Sequence, residues 1–149
     1  MSIDYNLQVT TELEPKEVLA VLLGNEEVAM SVSPNGSVSA GGPGLIAYAR
    51  VIDVPEEALA FGLGITSSVA VTFQVIVRDY ATAKAAIIKA TVQWFIVTSE
   101  DAALLFNAEE VLVFKKAGKV VVNSSTVIWQ PDDLRLLTFP YRTEHIPIL

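Results

Sequence analysis

The chain has no cysteine and a single histidine, His145. Without cysteine there is no disulfide scaffold and no thiolate zinc ribbon, and one imidazole is too few for a histidine-based zinc site. No metal and no cofactor are therefore expected. Basic residues are scarce, ten Lys and Arg against seventeen Asp and Glu, for a formal net charge of −7. This argues against nucleic acid as a ligand, because phosphate binding needs a basic footprint. Long hydrophobic runs are also missing. The longest, residues 81–97, is broken by Lys84, Lys89 and Gln93, and is shorter than the ~20 residues of a membrane-spanning helix. Met1-Ser2-Ile3-Asp4-Tyr5-Asn6 carries no basic region leading into an apolar stretch, so no signal peptide is read there. The expectation is a cytoplasmic protein with no membrane partner.

What is present points to a packed domain. The 149 residues are 52% hydrophobic and 18% charged, with a mean hydropathy of +0.47, which excludes disorder. A chain of about 150 residues makes one ordinary domain and buries roughly 68–70% of its unfolded surface. Residues 1–149 are expected to form a single globular domain, with spare apolar surface for a partner or a second copy. The charge is unevenly placed. Residues 1–60 hold nine acids and two bases, whereas residues 61–149 hold eight of each. All of the net charge thus lies in the first 60 residues.

Ile3 to Thr10 alternates apolar and polar side chains, the pattern of a strand with one covered face. Pro15 opens a helix with Val18, Leu19, Leu22 and Leu23 on its apolar face and Gly24 at its end. Pro34-Asn35-Gly36-Ser37 predicts a hairpin turn. Ala40-Gly41-Gly42-Pro43-Gly44 reads as a flexible connection, since no Lys-Ser/Thr pair follows to make it a phosphate loop. Residues 45–52 read as a strand, residues 58–63 fit either a strand or a helical turn, and residues 69–77 alternate as one long strand. Asp79 is placed to cap a helix over residues 80–97 that buries Ala83, Ile87, Ala90 and Trp94 on one stripe and Ile88, Val92 and Phe95 beside it. Residues 102–106, 111–115 and 119–123 form a C-terminal meander, with Gly118 in a three-residue hairpin loop. Pro131 starts a short helix, and the apolar tail runs over the domain as an extended strip. The fold class is α+β: a mostly antiparallel sheet with two main helices packed on one face, and the other face left to water or a partner.

Few residues invite chemistry. Ser124, Ser125, His145 and Glu144 contain the side-chain types of a triad, but no Gly-x-Ser-x-Gly elbow is present. The acid pairs Glu26-Glu27, Glu56-Glu57, Glu100-Asp101, Glu109-Glu110 and Asp132-Asp133 all fall at turns or helix starts. Neighbouring acids point apart on a strand and lie ~100° apart on a helix, so capping and solvation explain them. No catalytic residue is assigned, and the protein is read as not an enzyme.

One pattern goes further. Asp101-Ala102-Ala103-Leu104-Leu105-Phe106-Asn107-Ala108-Glu109-Glu110-Val111, then Lys115 to Lys119, Trp129-Gln130-Pro131-Asp132-Asp133-Leu134 and Phe139-Pro140-Tyr141-Arg142, resembles the Sit-type immunity proteins, which protect bacteria from kin-delivered swarm-inhibition toxins. The starts are similar as well, through Ser2 to Leu7 and Pro15 to Leu19. The resemblance is strong over residues 101–149, loose over the first 20, and slight between. The family often has Asn-Gly-Glu where this chain has Asn107-Ala108-Glu109. The resemblance implies a non-enzymatic protein that binds and neutralises one toxin. The charge count suggests a more basic partner met through Glu12, Glu14, Glu17, Glu26 and Glu27. The alternatives are a small-molecule or peptide-binding module using the uncovered sheet face, and a structural homodimer.

Overall fold

A computed structural model describes residues 3–24, 29–54, 57–126 and 128–147. Nine strands form one sheet in the order β2-β3-β4-β5-β1-β6-β7-β8-β9. They are β1 (Asp4–Val9), β2 (Met30–Val32), β3 (Val38–Gly42), β4 (Leu45–Val51), β5 (Val69–Val75), β6 (Ala102–Phe106), β7 (Glu110–Lys116), β8 (Lys119–Asn123) and β9 (Arg142–Glu144). Every pairing is antiparallel except β8 with β9, which is parallel. The helices are α1 (Pro15–Leu23), α2 (Glu57–Leu63), α3 (Tyr80–Val97) and α4 (Pro131–Leu134). The α+β class and the C-terminal meander follow the sequence pattern.

The helices α1 and α3 lie on one face of the sheet, the inner face. Tyr5, Leu7 and Val9 of β1 and Val69, Val71, Phe73 and Val75 of β5 alternate into that core, as the period of two requires. Trp94, Ala83, Ile87 and Ile88 of α3 are fully buried against them. Lys115 is also buried there. Its Nζ donates to the carbonyls of Phe95 at 2.7 Å and Thr98 at 2.8 Å, placing a cation on the negative end of α3. The Tyr5 and Tyr80 hydroxyls share a 3.0 Å hydrogen bond. Burial, reinforced by that bond, holds the Tyr5 phenol far above its ordinary range. Lys84 of α3 pairs with Asp133 of α4 at 2.9 Å, which ties the C-terminal segment to the inner layer.

Several local expectations need correction. Residues 40–44 are not a flexible connection. Val38–Gly42 pairs with β4 down to Gly42 opposite Leu45, and Pro43-Gly44 makes the turn. Gly44 has φ 72°, and a Cβ there would stand 2.9 Å from the Asp79 carbonyl, so the glycine permits a close chain crossing. β5 ends at Val75 rather than Val77: the Ile76 N–H still reaches the Gly44 carbonyl, but the Ile76 carbonyl accepts the Asp79 N–H of a 3-10 turn (Val77–Asp79) that leads into α3. Asp79 sits at the N-cap of α3 but makes no capping bond with its side chain. The β7–β8 loop has two residues, not three. Lys116 pairs with Lys119, and Ala117 and Gly118 both take positive φ, 51° and 80°, as a primed hairpin turn demands. The ambiguous segment is helical: it falls in α2 (Glu57–Leu63), and Gly64, φ 70°, follows the last helical residue. The apolar tail enters the sheet as β9.

The largest correction concerns the outer face, which the sequence pattern leaves uncovered. In the structure α2 and the tail cover half of it. Leu59, Ile65 and Ile146 pack on Ala103, Leu105, Val111, Phe114 and Val121 in a second core. A bulge opposite Leu104 and Leu105 makes this arrangement possible, because it turns both Leu112 and Val113 toward the helices.

Candidate partner-binding surface

Of the acids nominated from sequence, the three in the described residues lie close together in the chain. Glu12, Glu14 and Glu17 are exposed, on the connection from β1 to α1 and on the first turn of α1. Glu17 also has a structural role, since its Oε1 accepts the Glu14 N–H at 3.2 Å, half of a capping box. Glu26 and Glu27 lie outside the described residues. Asp4 stands at the other end of β1, roughly 20 Å away at ~3.3 Å per residue.

The loop carrying Glu12 is held by hydrogen bonds. Thr10 N–H donates to the Asp101 carbonyl at 2.9 Å. Thr11 N–H donates to Ser68 Oγ at 2.9 Å, and Ser68 Oγ donates to the Thr11 carbonyl at 2.7 Å. A cleft of about 540 Å³ opens beside it, lined by Glu12, Glu100, Asp101 and the hydroxyls of Thr10, Thr11, Ser68 and Ser99. The sequence pattern assigns Glu100 and Asp101 to capping and misses them as members of this acidic end. Asp101 is already engaged. It accepts from Lys116 Nζ at 2.9 Å and from Ala117 N–H at 3.0 Å. Burial pushes its carboxyl up, but these bonds and the charges of Lys116 and Lys115 more than offset that, leaving it below its ordinary value.

The second surface is the open half of the outer face. Three rows cross it. Ile46 stands opposite Gln74, which stands opposite Asp4; Tyr48 opposite Thr72, then Asn6; Arg50 opposite Ala70, then Gln8. Gln8 is buried and accepts a 2.7 Å bond from Ser67 Oγ. Tyr48 and Ile46 are the large exposed side chains, at 41% and 38%. One cleft of about 360 Å³ is lined by Asp4, Asn6, Thr72, Asn107 and Ala108. A second, of about 580 Å³, is lined in part by Asn35, Tyr48, Arg50, Asp53 and Thr72. Thr72 belongs to both.

His145 Nδ1 and Ser125 Oγ are in hydrogen-bond contact on the surface. In a triad the serine meets Nε2 and the acid holds Nδ1, so the wrong ring nitrogen faces this serine. Glu144 is turned to Arg142 at 3.1 Å instead. Among the described residues no three His, Asp or Glu side chains converge on a metal-sized site, and no helix is long and apolar enough to cross a membrane.

The architecture is thus an α+β fold, a nine-stranded, mostly antiparallel sheet with helices packed against it. The chain belongs to the SitI3-like family, whose model matches residues 3–133. The match therefore runs through the middle of the chain, where the motif resemblance is slight, and stops before Phe139-Pro140-Tyr141-Arg142, which carries part of that resemblance. No curated protein and no solved structure matches the chain.

Proposed function

We propose that this protein is a non-enzymatic immunity protein that works in the cytoplasm, where it binds a cognate toxin of the polymorphic kind and neutralises it by occluding the toxin's working surface. The observation that carries the reading is the SitI3-like family match over residues 3–133. The chemistry is consistent with it: the Ser125 and His145 contact has the wrong geometry for nucleophilic catalysis, and the cleft at Asp4 is mostly polar-lined. Inhibitory complexes bury ~1,600 Å² in total and rest on a few anchors.

The toxin is a more basic protein, steered by Glu12, Glu14 and Glu17 with Glu26 and Glu27. Exposed charges act over a Debye length of ~8 Å at physiological salt, so their effect falls on the association rate and fades as salt rises. The test is to express the product of the open reading frame beside this gene with and without this protein, and to measure protection and binding rates. Protection is expected. Replacing Glu12, Glu14 and Glu17 with glutamine should slow association by roughly tenfold at low salt and little at high salt. Absence of binding and protection would overturn the immunity reading. An unchanged association rate at low salt would overturn the steering role.

A further inference from the structure

We infer that the toxin docks on the open half of the outer face, and that the cleft between Asp4, Asn6, Thr72, Asn107 and Ala108 receives a cationic side chain, arginine or lysine, from it. This rests on the immunity reading above and adds where and how the partner is held.

The cleft has acceptors to spare. Asp4 Oδ1 and Asn6 Oδ1 accept no hydrogen bond and lie just under the surface of the cleft, out of solvent, so a small side-chain rotation brings them to an incoming donor. A buried acceptor without a donor is costly, and the cost is relieved when a donor arrives. Asp4 is in none of the ion pairs among the described residues. An arginine or lysine brings both the missing charge and several donors. A metal ion fits less well, since no three-carboxylate or histidine set converges there.

The backbone of the site is also pre-formed. Asn107 N–H donates to the Asp4 carbonyl at 2.8 Å, and Asn107 Oδ1 accepts the Asp4 N–H at 3.1 Å. Asp4 is thus clamped at both backbone groups. Asn107 and Ala108 hold left-handed backbone, φ 49° and 60°, so the rim is a tight turn rather than a loose loop. Pre-organisation of this kind lowers the ordering cost of binding.

The surroundings set an orientation. Arg50 lies diagonally across the face from Asp4 and is also in none of those ion pairs. Thr72 stands between them, and Tyr48, beside Arg50 on β4, has its hydroxyl 3.5 Å from Gln74 Oε1. A partner that puts a cation over Asp4 and an acid over Arg50 has one register, with Tyr48 as an aromatic anchor beside the acid. Docking by strand addition is disfavoured, because both edge strands, β2 and β9, are only three residues long. The acidic end near Glu12 is a weaker anchor, since Asp101 there is already held by Lys116.

The experiment uses the full chain and the toxin encoded beside it. Dissociation is measured for wild type, Asp4→Asn, Thr72→Arg and, as a control on the exposed side of α3, Lys89→Ala. Asp4→Asn removes the charge and keeps the size. Thr72→Arg supplies a cation in cis and blocks the cleft, so the test stands even if the first variant folds poorly; circular dichroism and thermal melting report folding. Both variants should raise the dissociation rate about thirtyfold or more, with Lys89→Ala unchanged. If wild type binds and both variants dissociate like it, docking on this face is wrong and the immunity reading stands. If wild type does not bind, the immunity reading falls and this inference with it.

Discussion

On the outer face of the sheet, β6, β7 and β8 present Ala103, Leu105, Val111, Phe114 and Val121 to α2 and the C-terminal tail. On the same face β1, β4 and β5 present Asp4, Asn6, Thr72, Gln74, Tyr48 and Arg50 outward, the first three half-buried and the last three exposed. Pairing among these strands is antiparallel in both halves, with the bulge at Leu104 and Leu105 in the covered one. What differs most is the set of side chains on one phase of the alternation. The change falls between β1 and β6, where Asn6 stands opposite Leu105 and Gln8 opposite Ala103. The apolar half requires cover and contributes to stability. The polar half is stable in water and is free to carry specificity, so substitutions in the two halves should separate stability from binding.

The largest expected effect comes from breaking the covered half. Leu105→Ala should cost about 3 kcal/mol in denaturant unfolding, by lost transfer energy and a residual cavity. Ile46→Ala in the open half should change stability by no more than ~0.5 kcal/mol. Equal losses would erase the distinction. Next is the tail. Asn123 Nδ2 donates to the carbonyls of Val111 and Ile146, and its Oδ1 accepts the Ile146 N–H. Asn123→Ala should cost about 2 kcal/mol and raise amide exchange in the tail while leaving exchange in β4 and β5 unchanged.

A smaller effect is expected at the latch of α2. Lys116 Nζ bridges the Gly64 carbonyl at 2.7 Å and Asp101 at 2.9 Å. Asp101→Asn should cost under ~1 kcal/mol at neutral pH, because the pair is partly solvated. The Asp101 pKa in the folded protein is lowered from an ordinary 3.8. Its contribution is therefore complete above that value and is lost as pH falls through the lowered one. The difference between wild type and Asp101→Asn should shrink below about pH 4, measured by unfolding across pH. Smallest is Ala108→Gly at the rim of the open half. Ala108 holds φ 60°, a position at which an L side chain is strained. Glycine should stabilise the fold by about 0.5–1 kcal/mol, read in denaturant unfolding.

The turn at Asn107 and Ala108 is legible in the sequence, since residues 107–110 separate two short apolar runs. The strand alternation of residues 4–9 and 69–75 is legible in the same way. The acidic site is less so. Counting acids over residues 1–60 puts Asp4 with Glu12, although β1 holds them at opposite ends, and it misses Glu100 and Asp101, which the α3–β6 connection brings beside Glu12. The Asp4 cleft has no signal in the sequence, because its members come from three separate segments joined only by sheet pairing.

Local chemistry was enough to determine the class of fold. Period-two alternation, the Pro15 and Gly24 helix ends, the apolar stripe of residues 80–97 and the zero cysteine count all act within a few residues of themselves, and each is readable in one dimension. Tertiary structure alone decided which half of the outer face is covered. That depends on α2 and Ile146 reaching strands far from them in the chain, on the bulge that turns Leu112 and Val113 inward, and on Lys115 finding the end of α3. Such contacts are rewarded only after the chain has closed its loops, so no local pattern records them.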